Sequence, residues 1–94
     1  MAKAILNGVA IAESDATVVV EGNHYFPPDA VDWEKLQASE TQSRCPWKGL
    51  AHYYDVVIGD ERRSDAAWAY PDPSEAAKEI KDHVAFWNGI QVQE

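Results

Sequence analysis

Short apolar runs separated by turn-forming residues dominate the first third of the chain and predict antiparallel β-strands. Asn7-Gly8 lies between the apolar runs 4–6 and 9–12. Asn-Gly favours a two-residue hairpin turn because both residues tolerate a positive φ. A second hairpin is predicted from the β-branched run 17–21 and the run 24–26, which a Gly-Asn pair separates.

The second half carries the longest alternating pattern, over residues 48–58, and a run over residues 61–70 returns after Gly59-Asp60. Alternation places Tyr54 on the face of His52 and places Trp68 on the face of Tyr70. If the two strands form a hairpin, we expect these two faces to meet. Closing strands are predicted over 83–87 and 90–92.

Two short helices complete the predicted elements. Asp29 is a candidate N-cap for a helix over 30–37, and Ser74 for a helix that ends near Lys81. The polar segment 39–44 is predicted to be a mobile loop. Together the pattern indicates one small, compact, mainly β fold with antiparallel strands.

Length and charge limit the classes of partner. The chain has 94 residues, so we treat 1–94 as a single domain. Its formal net charge of -8 opposes binding to nucleic acid and to anionic membranes. No apolar stretch approaches the roughly 18 residues of a membrane span. A single cysteine and no secretory signal pattern favour the cytoplasm.

Several motifs carry a resemblance to a known family. They are Val19-Val20-Glu21-Gly22, Tyr25-Phe26-Pro27, Cys45-Pro46-Trp47-Lys48-Gly49, Ala67-Trp68-Ala69-Tyr70-Pro71-Asp72-Pro73 and His83-Val84-Ala85-Phe86. Over nearly its whole length the chain resembles the bacterial family called domain of unknown function 427, which is also labelled nucleotidyltransferase-like. The resemblance implies a β-tent fold similar to Mss4-like proteins. Many of those proteins hold zinc with two Cys-x-x-Cys pairs, so one cysteine excludes that site here.

The residues add nothing to the nucleotidyltransferase label. No Asp-x-Asp pair lies on a predicted strand, and there is no Gly-rich phosphate loop that ends in Gly-Lys-Ser/Thr. His24, His52, His83 and Cys45 show no paired-ligand spacing. The sequence therefore predicts neither a metal site nor a cofactor.

Cys45, Lys48 and Glu21 are the candidate catalytic groups. Lys48 could lower the pKa of the Cys45 thiol, with one of the three histidines as a base. The alternative is a buried, inert Cys45 beside a solvated Lys48. Glu21 follows three valines, so its carboxyl is either buried with a raised pKa or solvated at the strand end.

Aromatic residues suggest a binding pocket, with Glu21 and Lys48 as polar anchors for a small, flat or cationic ligand. The candidate ligand-binding residues are Glu21, Tyr25, Trp47, Lys48, Tyr54, Trp68 and Tyr70. The alternative is that these rings form the core. The predicted function is a binding module for a small molecule or a protein partner. The alternatives are a small enzyme with a nucleotide-like substrate, and a protein-interaction domain if the aromatic residues are packed away.

Overall fold

Nine short strands make up most of the chain, which the computed structural model describes over all 94 residues. The strands are β1 (Ala2–Leu6), β2 (Val9–Ser14), β3 (Val18–Val20), β4 (Asn23–Tyr25), β5 (Leu36–Cys45), β6 (Gly49–Ile58), β7 (Glu61–Ala69), β8 (Val84–Phe86) and β9 (Gln91–Gln93). The helical segments are 3-10 turns at Pro28–Ala30, Trp33–Lys35 and Glu75–Ile80. The predicted mainly β class is therefore confirmed.

The strands form three antiparallel sheets, in the orders β2-β1-β9, β3-β4 and β5-β6-β7-β8. Two reciprocal backbone hydrogen bonds between Phe26 and Val84, of 2.8 and 2.9 Å, join the end of β4 to β8. The β3-β4 hairpin therefore continues the four-stranded sheet beyond β8.

The main core lies between the sheet β2-β1-β9 and one face of the sheet β5-β6-β7-β8. Its fully buried large side chains include Ile11, Phe26, Val56 and Val84. Phe26 packs edge-on against Phe86, with ring centroids 5.6 Å apart. Burial of each such side chain stabilises the fold by about 1.5–3 kcal/mol.

A second, smaller core lies on the opposite face of the four-stranded sheet. Successive residues of a strand point to opposite faces, so Val84 joins the main core and Ala85 joins the second one. The second core contains Tyr25, Ala51, Tyr70, Ala77, Ile80 and Ala85. The β3-β4 hairpin and the Glu75–Ile80 turn cover this core, and its rim carries the candidate site.

The predicted helix over 30–37 is wrong. Separate 3-10 turns occupy Pro28–Ala30 and Trp33–Lys35, and β5 begins immediately afterwards. Asp32 explains the break, because its backbone N–H donates to Ile11 of β2 at 2.8 Å. A helix of eight residues is marginal in water, so this tertiary hydrogen bond prevails over the local helical tendency.

The predicted loop over 39–44 is also wrong, because the segment belongs to β5. Gln42, Ser43 and Arg44 pair with His52, Ala51 and Leu50 of β6, and the register shifts between Ala38 and Gln42. As the edge strand of its sheet, β5 is mostly exposed and can be polar on both faces. The polar composition of this segment therefore gave no indication of a strand.

No helix in the structure combines the length and the apolar character that a membrane crossing requires.

Candidate functional site

A three-residue loop, Pro46-Trp47-Lys48, connects β5 to β6 at the rim of the second core. Cys45 and Gly49 pair directly and close the loop. The segment that follows Tyr70 supports it: the Ser74 N–H donates to the Lys48 carbonyl at 2.9 Å, and the Ser74 hydroxyl donates to the Trp47 carbonyl. Ser74 therefore anchors this loop, whereas the sequence predicted that its side chain would cap a helix.

Gly49 allows the two segments to approach each other. Its φ of 114° is strained for any residue with a side chain, and a Cβ there would lie 3.3 Å from the Asp72 carbonyl oxygen. Glycine is therefore required at this position for two independent reasons. The close approach brings Cys45-Pro46-Trp47-Lys48-Gly49 against Pro71-Asp72-Pro73, two of the motifs that carry the family resemblance.

Lys48 is the one charged residue of the chain that is buried, at 5% exposure. Its ammonium pairs with the Glu21 carboxylate and lies 4.9 Å from the Trp47 ring centroid and 5.9 Å from that of Tyr70. An ion pair and two aromatic faces compensate for much of the lost hydration. The interpretation of Lys48 as a solvated side chain is therefore wrong.

Glu21 reaches Lys48 from the β3-β4 turn, where its φ is 53°. The hydrogen bond from Lys48 lowers the pKa of the Glu21 carboxyl, so it is ionised at neutral pH. The alternative of a buried Glu21 with a raised pKa is wrong, since 57% of the side chain is exposed. Burial lowers the pKa of Lys48, but the hydrogen bond to Glu21 and the electrostatic effects of Tyr25, Cys45 and Glu21 together outweigh burial, so the pKa lies above its ordinary value.

Cys45 lies partly exposed at the start of the same loop. Burial raises the pKa of its thiol, but hydrogen bonds from the backbone N–H groups of Trp47 and Lys48, together with the ammonium charge, bring the pKa below its ordinary value. No histidine hydrogen-bonds this thiol: His24 Nδ1 contacts Thr17 Oγ1 at 2.8 Å, and His83 Nδ1 contacts the Lys81 carbonyl at 2.9 Å. The thiolate is stabilised without a histidine base beside it.

Tyr25 and Tyr70 are both buried, with ring centroids 6.4 Å apart. Trp68 Nε1 donates to the Tyr25 hydroxyl at 3.2 Å, and the two rings meet edge-on at 6.2 Å. Burial raises the pKa of both tyrosines, so their hydroxyls stay protonated. These three rings pack together, and none of them lines a cavity.

The remaining predicted ligand residue, Tyr54, lies on the other face of the sheet. It pairs with Ala67 and packs edge-on against Trp33 at 5.6 Å, beside the main core. Tyr53 takes the place expected of Tyr54, because it lies opposite Trp68 with ring centroids 6.3 Å apart. Pairing counted back from the Gly59-Asp60 turn would have shown that Trp68 shares the face of Tyr53.

We call the rim of the second core the Lys48 corner; it consists of the exposed Glu21 and Trp47, the partly exposed Cys45 and the buried Lys48. Tyr70 forms its floor, and Tyr25 lies behind Tyr70. The structure thus brings together all three candidate catalytic groups and six of the seven candidate ligand residues, if Trp68 is included through its contact with Tyr25. The proximity of Glu21 to Lys48 could not be read from the sequence.

A cleft with a volume of about 580 Å³ lies behind the same loop, on the opposite sheet face. We call it the Arg44 cleft; it is lined by Arg44, Gly49, Leu50, His52, Pro71, Asp72, Pro73 and Ser74. Two further cavities, of about 410 and 300 Å³, lie beside the C-terminal strand and beside β2. No group of three or more His, Cys, Asp or Glu side chains is placed to hold a metal ion.

A family model described as domain of unknown function (DUF427) matches residues 1–94. No curated protein matches the chain. The match covers the whole sequence, including the loop that carries Lys48 and the segment that supports it. The chain therefore belongs to the DUF427 family, whose function is unknown.

Proposed function

We propose that this domain is a binding module and that its ligand is a flat, uncharged group with N–H donors, held at the Lys48 corner. The observation that carries the proposal is the buried Lys48 ammonium, enclosed by Glu21, Trp47 and Tyr70. A well-packed apolar residue would stabilise the fold as well or better, so stability does not explain the charge. Perturbed ionisable groups that cluster at a surface are typical of functional sites.

The surface of the corner supports this class of ligand. Trp47 is 41% exposed and offers an aromatic face on which a planar ring can stack. The exposed, ionised carboxylate of Glu21 can accept a hydrogen bond from an N–H group of that ring. An anion would be repelled by Glu21 and the net charge of -8; these charges attract a cation, but the adjacent Lys48 ammonium repels it. A neutral heterocycle or amide meets neither penalty.

The proposal can be tested by titration with small probes, followed by nuclear magnetic resonance. The four tryptophans give four indole N–H signals, and Trp47→Phe identifies the one from the corner. Adenine and nicotinamide serve as flat neutral probes, with methylguanidine and acetate as charged ones. We expect the neutral probes to shift the Trp47 signal and the Gly22 amide, and Trp47→Phe to weaken binding.

Trp33 provides a matched control, because it is 40% exposed but packs on Tyr54 at a different surface. Trp33→Phe should leave the affinity for adenine and nicotinamide unchanged. An unmoved Trp47 signal with every probe, or equal loss of affinity in both variants, would contradict the assignment of the corner.

A second candidate is a small enzyme with Cys45 as its nucleophile and a nucleotide-like substrate. The lowered thiol pKa favours it, since the thiolate is the reactive form. The absence of a histidine base beside Cys45 favours the binding module. Catalytic turnover that Cys45→Ser abolishes would establish the enzyme.

The acidic charge supports a partner other than nucleic acid, and a protein partner could present the same flat group, for example on a side chain. The single cysteine and its stabilised thiolate suit the reducing cytoplasm. A zinc-free β-tent is the proposed finer class of the fold, supported by the three antiparallel sheets and the lone cysteine.

A further inference from the structure

The Arg44 cleft has two walls from distant parts of the chain. Arg44 and Leu50 are direct partners across β5 and β6, and His52 follows on the same face. The opposite wall is the segment Pro71-Asp72-Pro73-Ser74, which Gly49 allows to approach β6. The volume of about 580 Å³ lies within the range of small-molecule sites.

The two charged residues that line this cleft lack ionic partners. Arg44 forms no salt bridge and its side chain makes no hydrogen bond; Lys3 and Lys81 are likewise unpaired, whereas the other five basic side chains pair with carboxylates, namely Lys35, Lys48, Arg62, Arg63 and Lys78. Asp72 likewise takes part in neither a salt bridge nor a side-chain hydrogen bond. The cleft therefore presents a free cation and a free anion to whatever enters it.

The rest of the lining combines polar residues, His52 and Ser74, with Gly49 and three apolar side chains. The Leu50 side chain and the two pyrrolidine rings, Pro71 and Pro73, supply its apolar walls. Such walls suit an aliphatic group, because transfer of apolar surface from water is favourable.

We propose that the Arg44 cleft binds a small zwitterion, an α-amino acid with an aliphatic side chain. The Arg44 guanidinium pairs with the ligand carboxylate, Asp72 pairs with the ammonium, and the side chain lies against Leu50 and the prolines. A zwitterion has no net charge, so the charge of -8 does not oppose its approach as it opposes a nucleotide phosphate. This site is separate from the Lys48 corner and does not depend on the function proposed there.

Three probes that share the same aliphatic side chain but differ in their charged groups test the class of ligand. They are L-leucine, 4-methylpentanoate, which lacks the ammonium, and 3-methylbutylamine, which lacks the carboxylate. The dissociation constants are measured on the whole domain from amide shifts in nuclear magnetic resonance titrations. We expect leucine to shift the amides of Arg44, Leu50 and Ser74, and each analogue to bind about tenfold more weakly or worse, because one charge-assisted hydrogen bond is lost.

Exposed residues supply both the variants and their controls. Arg44→Gln and Asp72→Asn should each weaken leucine binding about tenfold. Lys81→Gln and Asp60→Asn change the net charge equally at exposed side chains outside the cleft, and they should have no effect. All four side chains are exposed, so the fold should tolerate each change.

Three results would overturn the proposal. The first is the absence of saturable shifts with leucine, and the second is 4-methylpentanoate binding as tightly as leucine. The third is an equal effect of the cleft variants and the control variants. Binding at the Lys48 corner is read from the Trp47 indole signal, so failure of one site leaves the test of the other intact.

Discussion

The ammonium of Lys48 and the carboxylate of Glu21 pair across two loops that lie 27 residues apart in the sequence. Their exposures differ greatly, since the Lys48 side chain is 6% exposed and that of Glu21 is 57% exposed. Loss of Lys48 and loss of Glu21 therefore have different consequences for stability. Without Lys48, the carboxylate simply returns to water; without Glu21, a buried ammonium loses its counter-charge.

We expect Glu21→Gln to lower the free energy of unfolding more than Lys48→Met does. Methionine fills a similar volume in the space between Trp47 and Tyr70 and removes the buried charge, so Lys48→Met should be neutral or stabilising. Urea denaturation at pH 7 measures both. The exposed ion pair of Glu75 and Lys78 provides the control, and changes to it should have almost no effect. A larger loss of stability in Lys48→Met than in Glu21→Gln would contradict this account of the pair.

Gly49→Ala should destabilise the fold by about 1–3 kcal/mol, because the backbone at φ 114° is strained for alanine and the new Cβ meets the Asp72 carbonyl. Gly59→Ala is the matched control. Gly59 also has a positive φ, of 58°, but its Cβ would meet no atom within 4 Å. We expect urea denaturation to show the larger loss for Gly49→Ala, and equal losses would exclude the contact with Asp72 as a cause.

Trp68→Ala should lower the free energy of unfolding by about 3 kcal/mol. The Trp68 ring packs against Tyr25, Tyr53 and Trp87, with centroid distances of 6.2 to 6.3 Å. This loss lies at the low end of the range for a tryptophan-to-alanine change because Trp68 is only partly buried. Trp68→Phe should recover part of the loss. Chemical denaturation gives the comparison, and a change below about 1 kcal/mol for Trp68→Ala would show that the rings do not act as a core.

The Cys45 thiol should react with iodoacetamide faster at pH 7.5 than an unperturbed cysteine does, because its lowered pKa increases the thiolate fraction. The midpoint of the rate plotted against pH should lie below that of an unperturbed cysteine measured in the same way. Lys48→Met should move that midpoint upward by removing the adjacent positive charge. A midpoint at or above that of an unperturbed cysteine would contradict the proposed stabilisation of the thiolate. The same holds if the midpoint is unchanged in Lys48→Met.

Acid should destabilise the domain through Glu21, Asp32 and Asp65, whose carboxyl pKa values are all lowered in the folded state. The causes are a hydrogen bond from Lys48 for Glu21, one from Lys35 for Asp32, and those from Ser39 and Thr41 for Asp65. As pH falls, the carboxyls of the unfolded chain take up protons first, at about pH 4. The stability that these carboxylates contribute is therefore present above that pH and is lost below it.

Urea denaturation between pH 7 and pH 3 measures this loss. Asp65→Asn removes one of the three carboxyls, so its stability should depend less steeply on pH below about 4. Asp60→Asn serves as the control, because Asp60 forms no salt bridge or side-chain hydrogen bond. Identical pH profiles for Asp65→Asn and the unchanged protein would exclude Asp65 as a contributor.

Much of the strand pattern was readable from local chemistry. The turns at Asn7-Gly8 and Gly59-Asp60 lie where predicted, because the positive φ of these turns depends on the turn residues themselves. The long alternating run is β6, Gly49–Ile58, and its partner is β7, Glu61–Ala69. The predicted mainly β class follows from these elements and from the shortness of the apolar runs between turns.

The position of β5 was not readable, because its polar sequence has no apolar periodicity and becomes a strand only by pairing with β6. The face of Trp68 was misassigned for a different reason. The pairing of Ile58 with Glu61 at the turn already fixes which residues share a face, but the prediction compared each strand separately. The register shift between Tyr54 and Val56 then places Trp68 opposite Tyr53.

Local residue chemistry thus specified the strands, most turns and the residues able to carry charge or aromatic contacts, since these depend on neighbours in sequence. Burial depends on the folded chain as a whole. Lys48 is buried because the β3-β4 turn brings Glu21 to it and the segment after Tyr70 holds its loop in place. The Arg44 cleft has the same origin, because Gly49 allows residues more than twenty positions away to form its second wall.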